Sequence, residues 1–136
     1  MTTNGIIQRK LELIDSNTRR LRALLPVSTE QLRNDFFLKN GIERTLQISI
    51  EAMLDIAHRS ISLKGQAPAT DSFQALQRLA ELGMIRQAEA YRNMVRFRNF
   101  MVHRYEYIEP ENIAGILSRN LGDFDRFIEE ISSCPL

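Results

Sequence analysis

From residue 96 to 107 the chain reads Arg96-Phe97-Arg98-Asn99-Phe100-Met101-Val102-His103-Arg104-Tyr105-Glu106-Tyr107. Histidine is the side chain best suited to exchanging protons near neutral pH, and arginine offers a planar fork of donors that matches phosphate. Together they could carry acid–base chemistry at a phosphate ester. On one helix, residues five apart lie about 140° apart around the axis, so Arg98 and His103 of a single chain converge poorly. A two-fold partner would place a second Arg98 and His103 in the same cleft, which makes a dimeric site the natural expectation.

The local charge fits that chemistry. Residues 86–104 hold five arginines (86, 92, 96, 98 and 104) against Glu89, a balance of +4. Residues 105–130 hold seven acids against Arg119 and Arg126, a balance of −5. The competing reading is a solvated basic face paired with the acidic segment that follows, and charge alone does not separate the two.

The elements that must position these residues are helical. With 136 residues, 43% hydrophobic and 26% charged, the chain is expected to form one globular domain over 1–136. Its 18 basic and 17 acidic residues give a net charge of +1, which excludes a wholesale polyanion binder. The single Cys134 allows no internal disulfide, no window is apolar enough to span a membrane, and residues 1–10 lack a signal-peptide layout. The expectation is a cytoplasmic protein without a membrane association.

Apolar residues Ile7, Leu11, Ile14, Leu21 and Leu25 predict a first helix ended by Pro26. Ser28-Thr-Glu-Gln31 reads as a capping box, and the pattern from Leu32 through Phe36, Leu46, Ile50, Met53 and Ile61 predicts one long helix to about Leu63, bent near Gly41. Thr70 or Asp71 caps a short third helix before Gly83. A fourth is predicted over about 86–102, and a fifth from Pro110 to about Ile131. The fold class expected is all-α, an antiparallel bundle of four to five helices.

On these residues the chain resembles the HEPN superfamily, and specifically its HepT-like toxins, whose motif is an arginine, four to six residues, then His-x-Tyr. Here that string is Arg98-Asn-Phe-Met-Val-His103-Arg-Tyr105. The likeness extends over residues 42–131: Ile42 to Ala57 looks like the family's second helix, Ser72 to Met84 like its short third helix and turn, and Ile108-Glu-Pro-Glu-Asn-Ile113 leads into its final helix.

The resemblance implies a homodimeric, metal-independent endoribonuclease that uses no cofactor. Arg98 and His103 would be catalytic, Asn99 supporting, and Arg96 and Arg104 contacts to RNA phosphates. It also implies a partner, a nucleotidyltransferase antitoxin of the MntA type that adenylylates Tyr105 and so blocks the cleft. RNA suits such a site because DNA lacks the 2′-hydroxyl. A noncatalytic adaptor that binds nucleotide or the nucleotidyltransferase through the same cleft is the alternative, and a purely structural helical dimer is a third.

Other residues read more plainly. Phe97, Phe100, Met101 and Val102 are expected to pack in the core or dimer seam. Glu51, Asp55 and His58 share a helix face at a spacing that could suit a metal, but no second Glu-x-x-His accompanies them. That stripe is expected to be a solvated or dimer-edge face, on which an acid could tune the cleft.

Overall fold

Helix α1, Gly5–Leu24, buries the stripe Ile7, Leu11, Ile14, Thr18 and Leu21, the period the sequence predicts. The computed structural model describes residues 5–104 and 107–135, the side chains of His103 and Arg104 excepted. After α1 come α2 (Thr29–Asn34), α3 (Phe36–Leu63), α4 (Ser72–Glu81), a 3-10 turn (Ala88–Tyr91), α5 (Arg92–Arg104), α6 (Pro110–Arg119) and α7 (Leu121–Ser132). The described residues contain no strand, and none of their helices is long and apolar enough to cross a membrane.

The long α3 is the spine of this all-α bundle. It packs against α1, α2, α4 and α5, while α1 also meets α7 and α2 meets α6. Its inner face carries Ile42, Leu46, Ile50, Met53, Ile56, Ala57 and Ile61, all essentially without exposure. Burial of such side chains contributes roughly 1.5–3 kcal/mol each before conformational entropy is set against it. One polar link crosses this contact: Asn17 Nδ2 donates to Ser49 Oγ at 3.1 Å, and Ser49 Oγ donates to the Thr45 carbonyl at 2.8 Å. Buried polar groups linked this way set the register of α1 on α3 at little desolvation cost.

Three expected helices are built differently. The capping box is present, with Ser28 Oγ accepting from Gln31 N–H and Gln31 Oε1 accepting from Ser28 N–H, but the helix it opens ends at Asn34. Asp35 is extended (φ −120°, ψ 96°), and its carboxylate accepts the Leu38 N–H at 3.0 Å to start α3. The break therefore falls at Asp35 and not at Gly41, because a short acidic side chain competes for the backbone there. Phe36, placed by periodicity on the inner stripe, is 71% exposed beside Phe37 as a result.

The fourth helix begins at Arg92, later than expected, because Glu130 on α7 accepts the Arg86 N–H and the Tyr91 hydroxyl and ties that stretch into a 3-10 turn. The last helix is two, divided at Asn120, which closes α6 and donates through Nδ2 to Asp123 Oδ2 at 2.9 Å.

Two helix ends follow from glycine. Gly65 and Gly83 adopt φ of 72° and 77°, and in both cases the next residue's N–H reaches back to the carbonyl five positions earlier. Only a residue without a Cβ takes that left-handed step freely. These stops, with the Asp71 carboxylate accepting the Gln74 N–H, hold α4 as a short brace beneath α5.

Candidate active site

Helix α5 runs in one piece from Arg92 to Arg104, so Arg98 and His103 share one continuous helix and His103 lies in its last turn. They stand about 140° apart around the axis and roughly 7.5 Å apart along it, as the spacing alone requires. The side chains of His103 and Arg104 lie outside the described residues, as does Tyr105 entirely.

Arg98 faces α3. Its Nη1 donates to Asn99 Oδ1 at 3.3 Å, and its Nε stands 3.8 Å from Glu51 Oε2. Gln47, one turn before Glu51, donates through Nε2 to the same Oε2 at 3.2 Å. Arg98 Nε is buried and has no hydrogen-bond partner among the described residues. The Arg98 side chain as a whole is 26% exposed, so its charge can be reached from outside the chain although the unbonded Nε cannot. Asn99 thus touches the guanidinium itself.

Arg96 is exposed and, two residues before Arg98, lies about 200° round the helix, on the side of Arg92 and Glu89. The structure therefore does not bring Arg96 together with Arg98 within one protomer. Arg92 is already occupied, bonded to Glu89 at 2.8 Å with its guanidinium 3.9 Å over the Phe73 ring.

The segment after the motif is held from the other side. Lys39 is buried, pairs with Glu43, and places its ammonium 4.0 Å over the Tyr107 ring. Helix α3 thus flanks the motif twice, through Glu51 at Arg98 and through Lys39 at Tyr107. Gln47 and Lys39 were not legible as site residues, although each sits four positions from an acid on the same helix, a spacing that signals side-chain pairing.

Four acids of residues 105–130 have partners away from α5's arginines, Glu130 among them through the Arg86 N–H and the Tyr91 hydroxyl. Glu111 pairs with Arg33 on α2, Asp125 with Arg22 on α1, and Asp123 with Arg126. Among the described residues none of them meets an α5 arginine, so the reading of α5 as the counter-face of the acidic segment is not supported. Phe97 is buried, and Phe100 and Met101 pack partly against the core. Asp55 bonds Lys10 and Arg59; burial alone would raise its pKa, and those two bonds more than offset it and hold the carboxyl below its usual range. No group of three or more metal-ligating side chains gathers among the described residues.

The helical bundle and its Arg–His helix match a known class. The family model described as Ribonuclease HepT-like covers residues 14–131, and the chain belongs to that family. It is 29% identical over 135 residues to the mRNA nuclease HepT of Shewanella oneidensis, spanning 96% of this chain and 98% of that one. It is 25% identical over 130 residues to the tRNA nuclease HepT of Aphanizomenon flos-aquae, spanning 94% and 88%. The solved structure of a tri-AMPylated Shewanella oneidensis HEPN toxin in complex with its MNT antitoxin superposes with a TM-score of 0.86 at 26% identity, over 97% of this chain and all of that one. A toxin–antitoxin complex with AMP-PNP superposes with a TM-score of 0.85 at 25% identity, over 97% of this chain and all of that one.

Proposed function

We propose that the chain is the ribonuclease toxin of a toxin–antitoxin pair, a metal-independent endoribonuclease acting in the cytoplasm as a homodimer. The observation that carries this reading is Arg98: half-buried, aimed by Asn99 and Glu51, with a donor left unbonded, five residues before His103 on one helix. Residues 98–102 are all partly covered in the single chain, Phe100, Met101 and Val102 among them. A second copy packed on this helix would cover them and bring the two motifs together.

In the reaction the RNA 2′-oxygen attacks the adjacent phosphorus, the O2′–P bond forms, and the P–O5′ bond breaks. His103 takes the 2′-hydroxyl proton or delivers one to O5′, the two copies dividing these roles. Arg98 holds the phosphate oxygens as charge gathers on them, and Asn99 orients its guanidinium. Arg104, and Arg96 from its separate face, hold neighbouring phosphates along the strand. The relatives described as mRNA and tRNA nucleases, and the AMPylated toxin bound to its antitoxin, support both the chemistry and the partner. By that likeness a nucleotidyltransferase of the MntA type adenylylates Tyr105, adding bulk and negative charge beside the arginines.

The test is cleavage of total RNA, with tRNA resolved separately, by partner-free protein in excess EDTA. Wild type is expected to cut and leave a cyclic phosphate end. His103→Ala is expected to lower the rate about 10² to 10⁴-fold, and Arg98→Ala about 10² to 10³-fold. An unmodified dimer that cuts no RNA, while His103→Ala still binds the nucleotidyltransferase, would establish the adaptor instead.

A further inference from the structure

Arg98 has a neighbour on α3 that packing does not require. Glu51 Oε2 stands 3.8 Å from the Arg98 Nε, just beyond hydrogen-bond reach, and Gln47 Nε2 tethers that same oxygen at 3.2 Å. The Nε is buried without a hydrogen-bond partner among the described residues. Leaving a buried donor unbonded costs about 1–3 kcal/mol, so folding alone would favour either full closure of the pair or an apolar residue. As a strap between helices the pair is weak, because its side chains are 26% and 39% exposed. Its geometry is directional instead. The carboxylate approaches the Nε side of the guanidinium, while at the terminal end Nη1 donates to Asn99 Oδ1 at 3.3 Å.

We propose that Glu51 is a positioning residue for Arg98: it anchors Nε, so that the terminal fork meets the scissile phosphate, and Gln47 fixes Glu51. This rests on the reading of Arg98 as the phosphate-holding residue. When a phosphodiester occupies the fork, the Nε–Oε2 gap closes to a charge-assisted hydrogen bond, and the aim of the guanidinium stiffens as charge develops. The same carboxylate opposes the polyanion, since a negative charge beside the pocket repels RNA. Glu51 therefore weakens ground-state binding while it improves the aim of Arg98 in the transition state. That combination raises kcat without lowering KM.

The two effects separate in kinetics. The full-length, unmodified protein is assayed on a short unstructured RNA under steady-state conditions. Its affinity is measured for the same oligonucleotide carrying 2′-O-methyl groups, which cannot be cut. Glu51→Gln is expected to lower kcat by about tenfold to a hundredfold, the scale set by small misplacements of a catalytic group. KM is expected to be unchanged or lower, and the 2′-O-methyl RNA to bind at least as tightly as to wild type. In an Arg98→Ala background Glu51→Gln is expected to cost nothing further, since the residues act as one unit. Gln47→Ala gives the same pattern at smaller amplitude, and stands in should Glu51→Gln fail to fold.

A Glu51→Gln protein with kcat within twofold of wild type overturns the positioning role. So does a kcat loss matched by equally weakened RNA binding, or one that adds to the Arg98→Ala loss. These outcomes are distinct from failure of the site itself: Arg98→Ala cutting like wild type overturns both readings, whereas an inactive Arg98→Ala beside an undiminished Glu51→Gln overturns only this one.

Discussion

Two arginines on neighbouring parts of the bundle are used in opposite ways. Arg126 on α7 donates to Asp123 Oδ1 at 2.7 Å and to the Ala90 carbonyl at 3.3 Å, with its guanidinium 5.1 Å from the centre of the Tyr91 ring. Arg98 on α5 has one bond, to its own neighbour Asn99, an ion pair at 3.8 Å, and a buried donor unbonded among the described residues. Both lie on amphipathic helices, but the sequence sets Arg98 in a basic stretch and Arg126 among acids. In the structure they differ in whether their donors are consumed inside the fold: Arg126 donates to Asp123 and Ala90, whereas the buried Nε of Arg98 has no partner among the described residues.

The same substitution at both sites sharpens the contrast. Arg98→Met is expected to reduce RNA cleavage at least about 100-fold while stability is not lowered and rises by up to about 1–3 kcal/mol, since the substitution removes a buried donor that has no partner among the described residues. Activity and melting measured on one preparation check both halves. A large stability loss at Arg98 would break the comparison.

Phe127 tests the region Arg126 serves. Its ring is fully buried and meets Tyr91 edge to face, with centroids 5.5 Å apart. Phe127→Ala is expected to cost about 3–5 kcal/mol by urea unfolding, with cleavage per folded molecule retained. Arg126→Met is the milder version, expected to cost about 1 kcal/mol, because Asp123 keeps its bond from Asn120 and the Arg126 side chain is 43% exposed. Cleavage by Arg126→Met should match wild type.

The smallest effect is a pH dependence. Burial, then the hydrogen bond to Glu130, raises the Tyr91 pKa above its ordinary value. The folded state therefore keeps a proton that the unfolded chain releases above about pH 10. Stability from this group is intact below that pH and declines as pH rises toward the higher folded value. Melting temperatures of wild type and Tyr91→Phe between pH 8 and 11 should show wild type ahead at pH 8 and the gap narrowing above pH 10. A constant gap would mean Tyr91 is not protonation-linked to folding.

Much of the fold was legible because it depends on period and punctuation. The stripe of α1, the capping box at Ser28, the Asp71 cap, the stops at Gly65 and Gly83 and the start at Pro110 are local physics, and all lie where the residues place them. The breaks at Asp35 and Asn120 were missed because apolar spacing continues across a one-residue interruption. The late start of α5 was missed because its cause, Glu130, lies on another helix 44 positions away from Arg86.

For the site, the order Arg98, His103, Tyr105 and the clustering of arginines before acids belong to the sequence itself, as does the family resemblance they carry. The one-dimensional string also determined that Arg98 and His103 cannot share one face of a straight helix, since helix pitch sets that angle. Only the tertiary structure decided that Arg98 keeps a buried donor unbonded among the described residues, that Glu51 and Gln47 rather than the acidic C-terminal segment stand at Arg98, and that Lys39 lies over the Tyr107 ring. Those outcomes depend on which helix faces which. That is settled by burying the apolar faces of α1, α3 and α7 together, and the charged side chains take the partners that packing leaves within reach.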